Sequence, residues 1–265
     1  MTAGPNRRRS PGGAGPVRVG DTIARALRER ILTNQFPDGL LASQEALMAE
    51  FGVSAPSIRE ALRILEAEGL ITVRRGNVGG AVVHVPDASS TAHALGLALQ
   101  SDGVTLADVS KALCAMDAWA AAACARRADR ATAVTPRLTA RVADADAVIA
   151  SADWLASSLR FHTDLADLSG NGTFRLLISS LLSLWQAHAD EWMNLLGHAT
   201  YVSAARRRKM STSHRELISV IASGDAAAAQ AAAERHMRES HQVMLKRQNA
   251  TVSVTRVGIA RSRAR

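Results

Sequence analysis

Residues Leu41 to Val85, LASQEALMAEFGVSAPSIREALRILEAEGLITVRRGNVGGAVVHV, set two helical patterns and two strand patterns end to end with almost no slack. That spacing leaves few ways to fold. SQEALMAEF opens on Ser43, whose hydroxyl can accept a free helix-start N–H. Gly52-Val53-Ser54 breaks the pattern, and a longer run from Ala55 to Glu68 starts behind a second cap candidate, Ser54. Pro56 stands in its first turn, where a missing N–H costs nothing. Ile58, Leu62 and Leu65 recur at i, i+4, i+7 and give one apolar face. Ala55, Arg59 and Arg63 stand four apart on another face, available to solvent. LITVRR and AVVHV then read as two strands around GNVGG, a turn rich in residues that tolerate positive φ.

Helix, tight turn, exposed basic helix and basic-tipped hairpin, in that order, make a winged helix-turn-helix. Such a unit lays its second helix in the DNA major groove while the first crosses the backbone. The candidate DNA-contacting residues are Ser43, Ser54, Ala55, Ser57, Arg59, Arg63, Arg74, Arg75 and Asn77. Arg59 can take a guanine bidentately or clamp a phosphate, since its planar fork suits both. Ser54 and Ser57 are short donors to phosphate or base edges. Arg74, Arg75 and Asn77 at the wing tip would meet the backbone or the minor groove. The bland alternative is an ordinary helix-turn-helix hairpin with a solvated basic face; the co-occurrence of both helices, turn and wing favours the DNA reading.

FGVSAPSIREALRILEAEGLITVRRGNVGGAVV resembles the winged-helix domain of GntR-type bacterial transcription regulators, with their G-V-S-x-x-x-[VI]-R-E-A-L and L-E-x-[ED]-G-L-[IV] signatures. The resemblance spans roughly residues 18–86. Those regulators usually carry Arg directly after G-V-S, where this chain has Ala55, and often a basic residue early in the preceding helix, where it has Gln44 and Glu45. Arg59 fills the family position of a DNA-contacting Arg, so the operator does not carry over from relatives.

Composition supports an α-rich chain. Apolar residues are 47% of the sequence but aromatics only 3%, and Ala is abundant, which favours closely packed helices over a β-sandwich. The net charge of +8 is unevenly placed. Residues 1–86 hold eleven Arg and eight acids, residues 87–245 fifteen Lys/Arg and sixteen acids, and residues 246–265 six Lys/Arg and no acid. Basic ends around a neutral middle suit a chain in which one part meets a polyanion and another meets something else. Cys114 and Cys124 lie in one helical run at a spacing that suggests neither a disulfide nor a zinc knuckle. With no long apolar run and no signal-peptide pattern, a cytoplasmic protein with no membrane partner is expected.

The expected domains are a disordered basic arm at 1–17, the winged helix-turn-helix at 18–86, an all-α ligand-binding and dimerisation domain at 87–247, and a disordered basic tail at 248–265. Within the winged domain, Ile23, Leu27 and Ile31 make a first helical stripe, and FPDGLL reads as a turn into Ser43. Beyond Pro86, helical periodicity is broken at SDG (101–103), Thr135-Pro136, SGNG (169–172) and SGD (223–225). This predicts helices near 89–100, 105–130, 136–151, 153–168 and 173–198, then 202–222 with 225–247 as a closing pair. The fold class is mainly α, an antiparallel bundle following the winged unit.

Four histidines stand out by context: His162 in FHTDLADLSGN, His214 in SHRELISVIASGD, and His236 with His241 in ERHMRESH. A lone His is usually a surface or satisfied core residue. Three on three helices of one bundle can converge, and neutral imidazoles suit Zn, Ni, Co or Mn. The pattern F-H-x-x-L-x-x-x-S-G-N, then S-H-R-x-[IL]-x-x-x-I-x-x-G-D, then R-H-M resembles the all-α FCD effector domain of the FadR branch of GntR regulators. The resemblance implies a divalent-metal site at the floor of the ligand pocket, with His162, His214 and His236 as ligands and an Asp one turn before the first. That last position is Ser158 here, a poor ligand, which water or the effector's own carboxylate would replace. The rival is a metal-free pocket whose histidines hydrogen-bond the ligand directly.

Family members often place an Arg facing the ligand's acid group where this chain has Leu113, one turn before Asp117. The candidate pocket residues are Ser158, Leu113, Trp119 and Trp185; core packing accounts for the tryptophans, while a pocket with aromatic walls and a larger, more apolar acid is permitted. The function expected is a ligand-responsive, sequence-specific DNA-binding regulator, most simply a homodimeric repressor on a double-stranded operator. Two alternatives stay open: a metal-dependent enzyme using the three histidines, against which no evident general base stands beside them, and a non-specific DNA binder driven by the basic ends.

Overall fold

The computed structural model describes residues 18–74, 81–196, 202–247 and 251–253. Its contacts divide the chain into two compact units, which meet between Pro86 and Asp87.

In the first unit, α1 (Val19–Leu32), β1 (Leu40–Leu41), α2 (Gln44–Phe51), α3 (Ala55–Ala67), β2 (Ile71–Val73) and β3 (Ala81–Val83) follow in order. Ile23, Leu27 and Ile31 are buried against Leu47, Ile58, Leu65 and Ile71 in one core. Ser43 caps α2 as expected, its Oγ accepting the Ala46 N–H at 3.2 Å. Ser54 stands at the N-cap of α3, but its side chain makes no capping hydrogen bond. Gly52 ends α2 in the left-handed region, φ +64°, where a Cβ would be strained. Arg28 of α1 binds the carboxylate of Glu68 at 2.8 Å and so ties α1 to the end of α3.

The sheet is three-stranded and antiparallel, in the order β1-β3-β2, with Ala81 opposite both Leu41 and Val73. This corrects the expectation of a plain turn at FPDGLL. Leu40–Leu41 is a strand, with Leu41 buried and Leu40 exposed. Two residues are too few to show an alternating pattern; the pairing comes from β3, distant in sequence.

The second unit is all-α. Among the described residues it comprises α4 (Ala88–Ser101), α5 (Leu106–Arg126), α6 (Thr135–Ala147), α7 (Trp154–Leu168), α8 (Gly172–Leu196), α9 (Ala204–Ser223) and α10 (Ala226–Arg247). A five-residue π-helical turn, Arg130–Val134, leads into α6. Helix α5 is central and packs on α7, α8, α9 and α10. Its buried Ala118, Ala120, Ala121, Ala122 and Ala125 let neighbouring backbones approach closely. Helix α5 stops at Arg126, not 130. Arg127 leaves the helical region because its guanidinium is held by Asp129 at 2.8 Å and by the Leu168 carbonyl at 2.9 Å.

One further departure concerns the tail. An unpacked segment is expected from Gln248, yet Val252 is buried in the bundle core and its N–H donates to the Val104 carbonyl at 2.9 Å. Thr251 bridges Thr105, and the Ser253 N–H donates to Nε2 of His188 at 3.1 Å. A single buried valine carries no periodicity for a sequence to display. The fold class is the one expected: mainly α, a winged helix-turn-helix followed by an all-α domain. Among the described residues, no helix is long and apolar enough to cross a membrane.

Candidate functional site

On the first unit, the face of α3 opposite its apolar stripe carries the candidate DNA contacts. Ser43, Ser54, Arg59 and Arg63 are exposed, and Ala55 and Ser57 are half-buried. Arg63 is paired with Glu60 one turn earlier. Arg59 has no acidic partner among the described residues, so its guanidinium is available to an external anion. Arg74 is exposed at the end of β2, whereas Arg75 and Asn77 lie outside the described residues.

Inside the second unit, α7, α9 and α10 bring His162, His214 and His236 together. Each is buried, and one ligand-capable atom from each lies within 4.8 Å of the others. Nε2 of His162 and Nε2 of His214 are 3.3 Å apart. Two imidazole nitrogens on one ion at about 2.1 Å would be separated by about 3.0–3.4 Å, so this spacing suits shared coordination. Phe161 stacks on His214 with ring centroids 4.1 Å apart and fixes that ring. Burial, reinforced by the neighbouring histidines, pushes His214 and His236 well below the ordinary imidazole range, and both are therefore neutral donors at pH 7.

Behind the cluster stands Asp117 of α5, fully buried, with Oδ2 3.0 Å from Nδ1 of His162. A carboxylate accepting the Nδ1–H sets the tautomer that presents the Nε2 lone pair to an ion. The other oxygen of Asp117 is buried without a hydrogen-bond partner among the described residues. His236 is held similarly, its Nδ1 2.9 Å from Oγ of Ser213. Three clustered imidazoles beside a buried carboxylate with an unsatisfied oxygen fit a divalent cation, whose charge would offset that burial.

The other expected pocket residues divide. Ser158 and Trp185 line a small chamber with His162. Leu113 is fully buried in the core, and Trp119 is 37% exposed, stacked on Phe174 at 4.2 Å; neither lines the chamber. The sequence reading missed Asp117, although a lone carboxylate among the apolar residues of α5 was a usable signal. His241, which stood out in the sequence without a role, lines the same chamber, as do Trp154 and Arg206, to which the sequence assigned no site role. His241 is fixed by Oγ of Ser110 at 2.8 Å and stacks on Trp185 at 3.9 Å.

Comparison with known proteins matches residues 20–82 to the family described as bacterial regulatory proteins, gntR family, and residues 108–239 to the FCD domain. The chain belongs to the GntR family. Its FCD domain contains all three clustered histidines, Asp117 and Ser158. A solved structure titled Streptococcus agalactiae GntR shares the fold of this GntR-family chain, with a TM-score of 0.58 at 21% identity over 84% of this chain and 99% of that one. The HTH-type transcriptional regulator Mce2R of Mycobacterium tuberculosis is 39% identical over 61 residues, 23% of this chain and 25% of the relative. The gluconate operon transcriptional repressor of Bacillus licheniformis is 44% identical over 57 residues, 22% of this chain and 24% of the relative. These alignments span about a quarter of the length of the curated relatives.

Proposed function

We propose that this GntR-family chain is a ligand-responsive, sequence-specific DNA-binding transcriptional regulator, acting in the cytoplasm as a homodimer on a double-stranded operator. The observation that carries the reading is the coexistence of two features in one chain. The first unit presents Arg59, free of acidic partners among the described residues, on the recognition helix, and the second holds a buried three-histidine cluster beside a ligand-sized cleft. The effector is a small organic acid bound beside a divalent ion (Zn, Ni, Mn or Co) held by His162, His214 and His236. Such an ion would supply a Lewis-acidic position for an effector oxygen; Asp117 orients His162, and Ser158 leaves a coordination position open. The effector alters DNA affinity to the extent that it binds the DNA-competent and DNA-incompetent states unequally.

Repression is the simpler sense of regulation, supported by the name of the Bacillus licheniformis relative. The all-α effector domain favours the FadR branch, and the chain is a regulator rather than an enzyme, as the names of its relatives indicate. Selection of bound duplexes from a random pool tests the reading. A recovered pseudo-palindrome with half-sites about one helical turn apart supports it. Binding that is steep in salt but indifferent to sequence would replace it with non-specific association.

A further inference from the structure

Arg59, Arg63 and Glu66 stand at i, i+4 and i+7 of α3 and are all exposed, so they share the face that carries the candidate DNA contacts. An acid on that face needs a reason, because a carboxylate repels phosphate. The fold supplies one. Val73 of β2 donates its N–H to Oε1 of Glu66 at 3.1 Å. Strand β2 lies at the edge of the sheet, paired with β3 on one side, and on its open side Val73 finds Glu66 as acceptor.

A sharp reversal makes the contact possible. Gly69 takes φ +73°, the Leu70 N–H donates to the Leu65 carbonyl at 2.9 Å, and the Gly69 N–H donates to the Glu66 carbonyl at 3.0 Å. These bonds close the end of α3 and lay β2 back beside its last turn. Leu70 and Ile71 are buried and hold the start of the strand to the core. The two acids of LEAEGL therefore divide their work. Glu68 ties α3 to α1 through Arg28, and Glu66 ties it to the strand that leads into Arg74, exposed at the root of the wing.

We infer that Glu66 is a positioning residue for DNA binding. It locks the root of the wing to the recognition helix, so that Arg59 in the major groove and Arg74 on the backbone engage one duplex together. The inference rests on the DNA reading proposed above. Two contacts carried on one rigid body lose less freedom on binding than two carried on independent pieces. The bond is exposed and contributes little to the stability of the fold, so its effect belongs to binding.

The test is fluorescence anisotropy of the whole protein with the duplex recovered by selection and with a random duplex of equal length. The proteins are the wild type, Glu66→Gln, Glu66→Ala, Arg74→Ala and the double variant Glu66→Ala, Arg74→Ala. Gln keeps an acceptor for the Val73 N–H and removes the charge, whereas Ala removes both. Glu66→Gln should bind both duplexes at least as tightly as the wild type. Glu66→Ala should bind them about threefold to tenfold more weakly, the worth of one hydrogen bond. In the Arg74→Ala background that loss should shrink below about twofold, because the contact that Glu66 positions is already gone. Thermal unfolding should be alike in all five. Losses that simply add in the double variant would overturn the inference, since they would show that Glu66 does not act through Arg74. Equal tightening by Gln and Ala would also overturn it, leaving Glu66 a solvated, repulsive charge. If the wild type does not tell the two duplexes apart, the sequence-specific reading falls, and the order of the variants on the random duplex still decides the role of Glu66.

Discussion

Oδ2 of Asp117 lies 3.0 Å from Nδ1 of His162, and both side chains are sealed from solvent. The contact joins α5, the central helix of the bundle, to the first histidine of the cluster. Asp117→Asn keeps the shape but removes the carboxylate that sets the His162 tautomer. Metal affinity should fall about 10–100-fold, with helicity unchanged, as read by competition with a chromophoric chelator. Unaltered affinity would mean that His162 is oriented by something else.

Elemental analysis of protein purified without added metal or chelator should find about one divalent ion per chain, lost in the double variant His214→Ala, His236→Ala. The two substitutions remove donors from α9 and α10 and leave one imidazole, too few to retain an ion through purification. Absence of metal from both samples would turn attention to histidines that bind the effector directly.

Arg59→Ala should weaken discrimination of the operator from random duplex by about 1–3 kcal/mol if the guanidinium reads a base bidentately. Circular dichroism and oligomeric state should not change, because Arg59 is exposed and outside the core of its unit. Fluorescence anisotropy with labelled duplex gives the readout. Undiminished specific binding would remove α3 from its role as recognition helix.

Asp164 of α7 is buried and bound by Arg137 at 2.7 Å and Arg141 at 2.5 Å, both from α6. Burial raises its pKa, but the two guanidinium groups outweigh that and hold it below the ordinary 3.8. Its contribution to stability is therefore complete above pH 3.8 and disappears as pH falls through the lower folded value. Asp164→Asn should cost about 2 kcal/mol at pH 7, discounted for the partial exposure of both arginines, and should lessen the loss of stability below pH 4. Urea midpoints at pH 7 and pH 3.5 test both halves.

Burial depresses His214, His236 and His241, the last to about 3, and neighbouring histidines add to the effect. In the unfolded chain these groups take up protons as pH falls through 6.5, while in the fold they stay neutral. The unfolded state then binds more protons, so the metal-free protein should lose stability between pH 7.5 and pH 5. His241→Gln should flatten that decline. An identical slope in the variant would mean that His241 charges within the fold.

The winged unit was legible almost residue by residue, because its information is local. The stripes Ile23/Leu27/Ile31 and Ile58/Leu62/Leu65, the cap at Ser43 and the turn at Gly52 all act within a few residues of themselves. The strand at Leu40–Leu41 was not, since two residues become a strand only when β3 pairs with them. The histidines were legible through their motifs, but their convergence within 4.8 Å is a property of how α7, α9 and α10 pack.

The sequence alone thus determined which segments are helices, that the chain has a DNA-binding module and an all-α one, and which histidines stand ready to bind. Helix periodicity and capping need no long-range contact to declare themselves. Only the tertiary structure decided that Asp117 backs His162, that Leu113 belongs to the core, and that Trp154 and Arg206 border one chamber. Those relationships join residues dozens of positions apart. They depend on side-chain packing between helices, where the volume of each neighbour settles which polar group is left facing a cavity and which is sealed away.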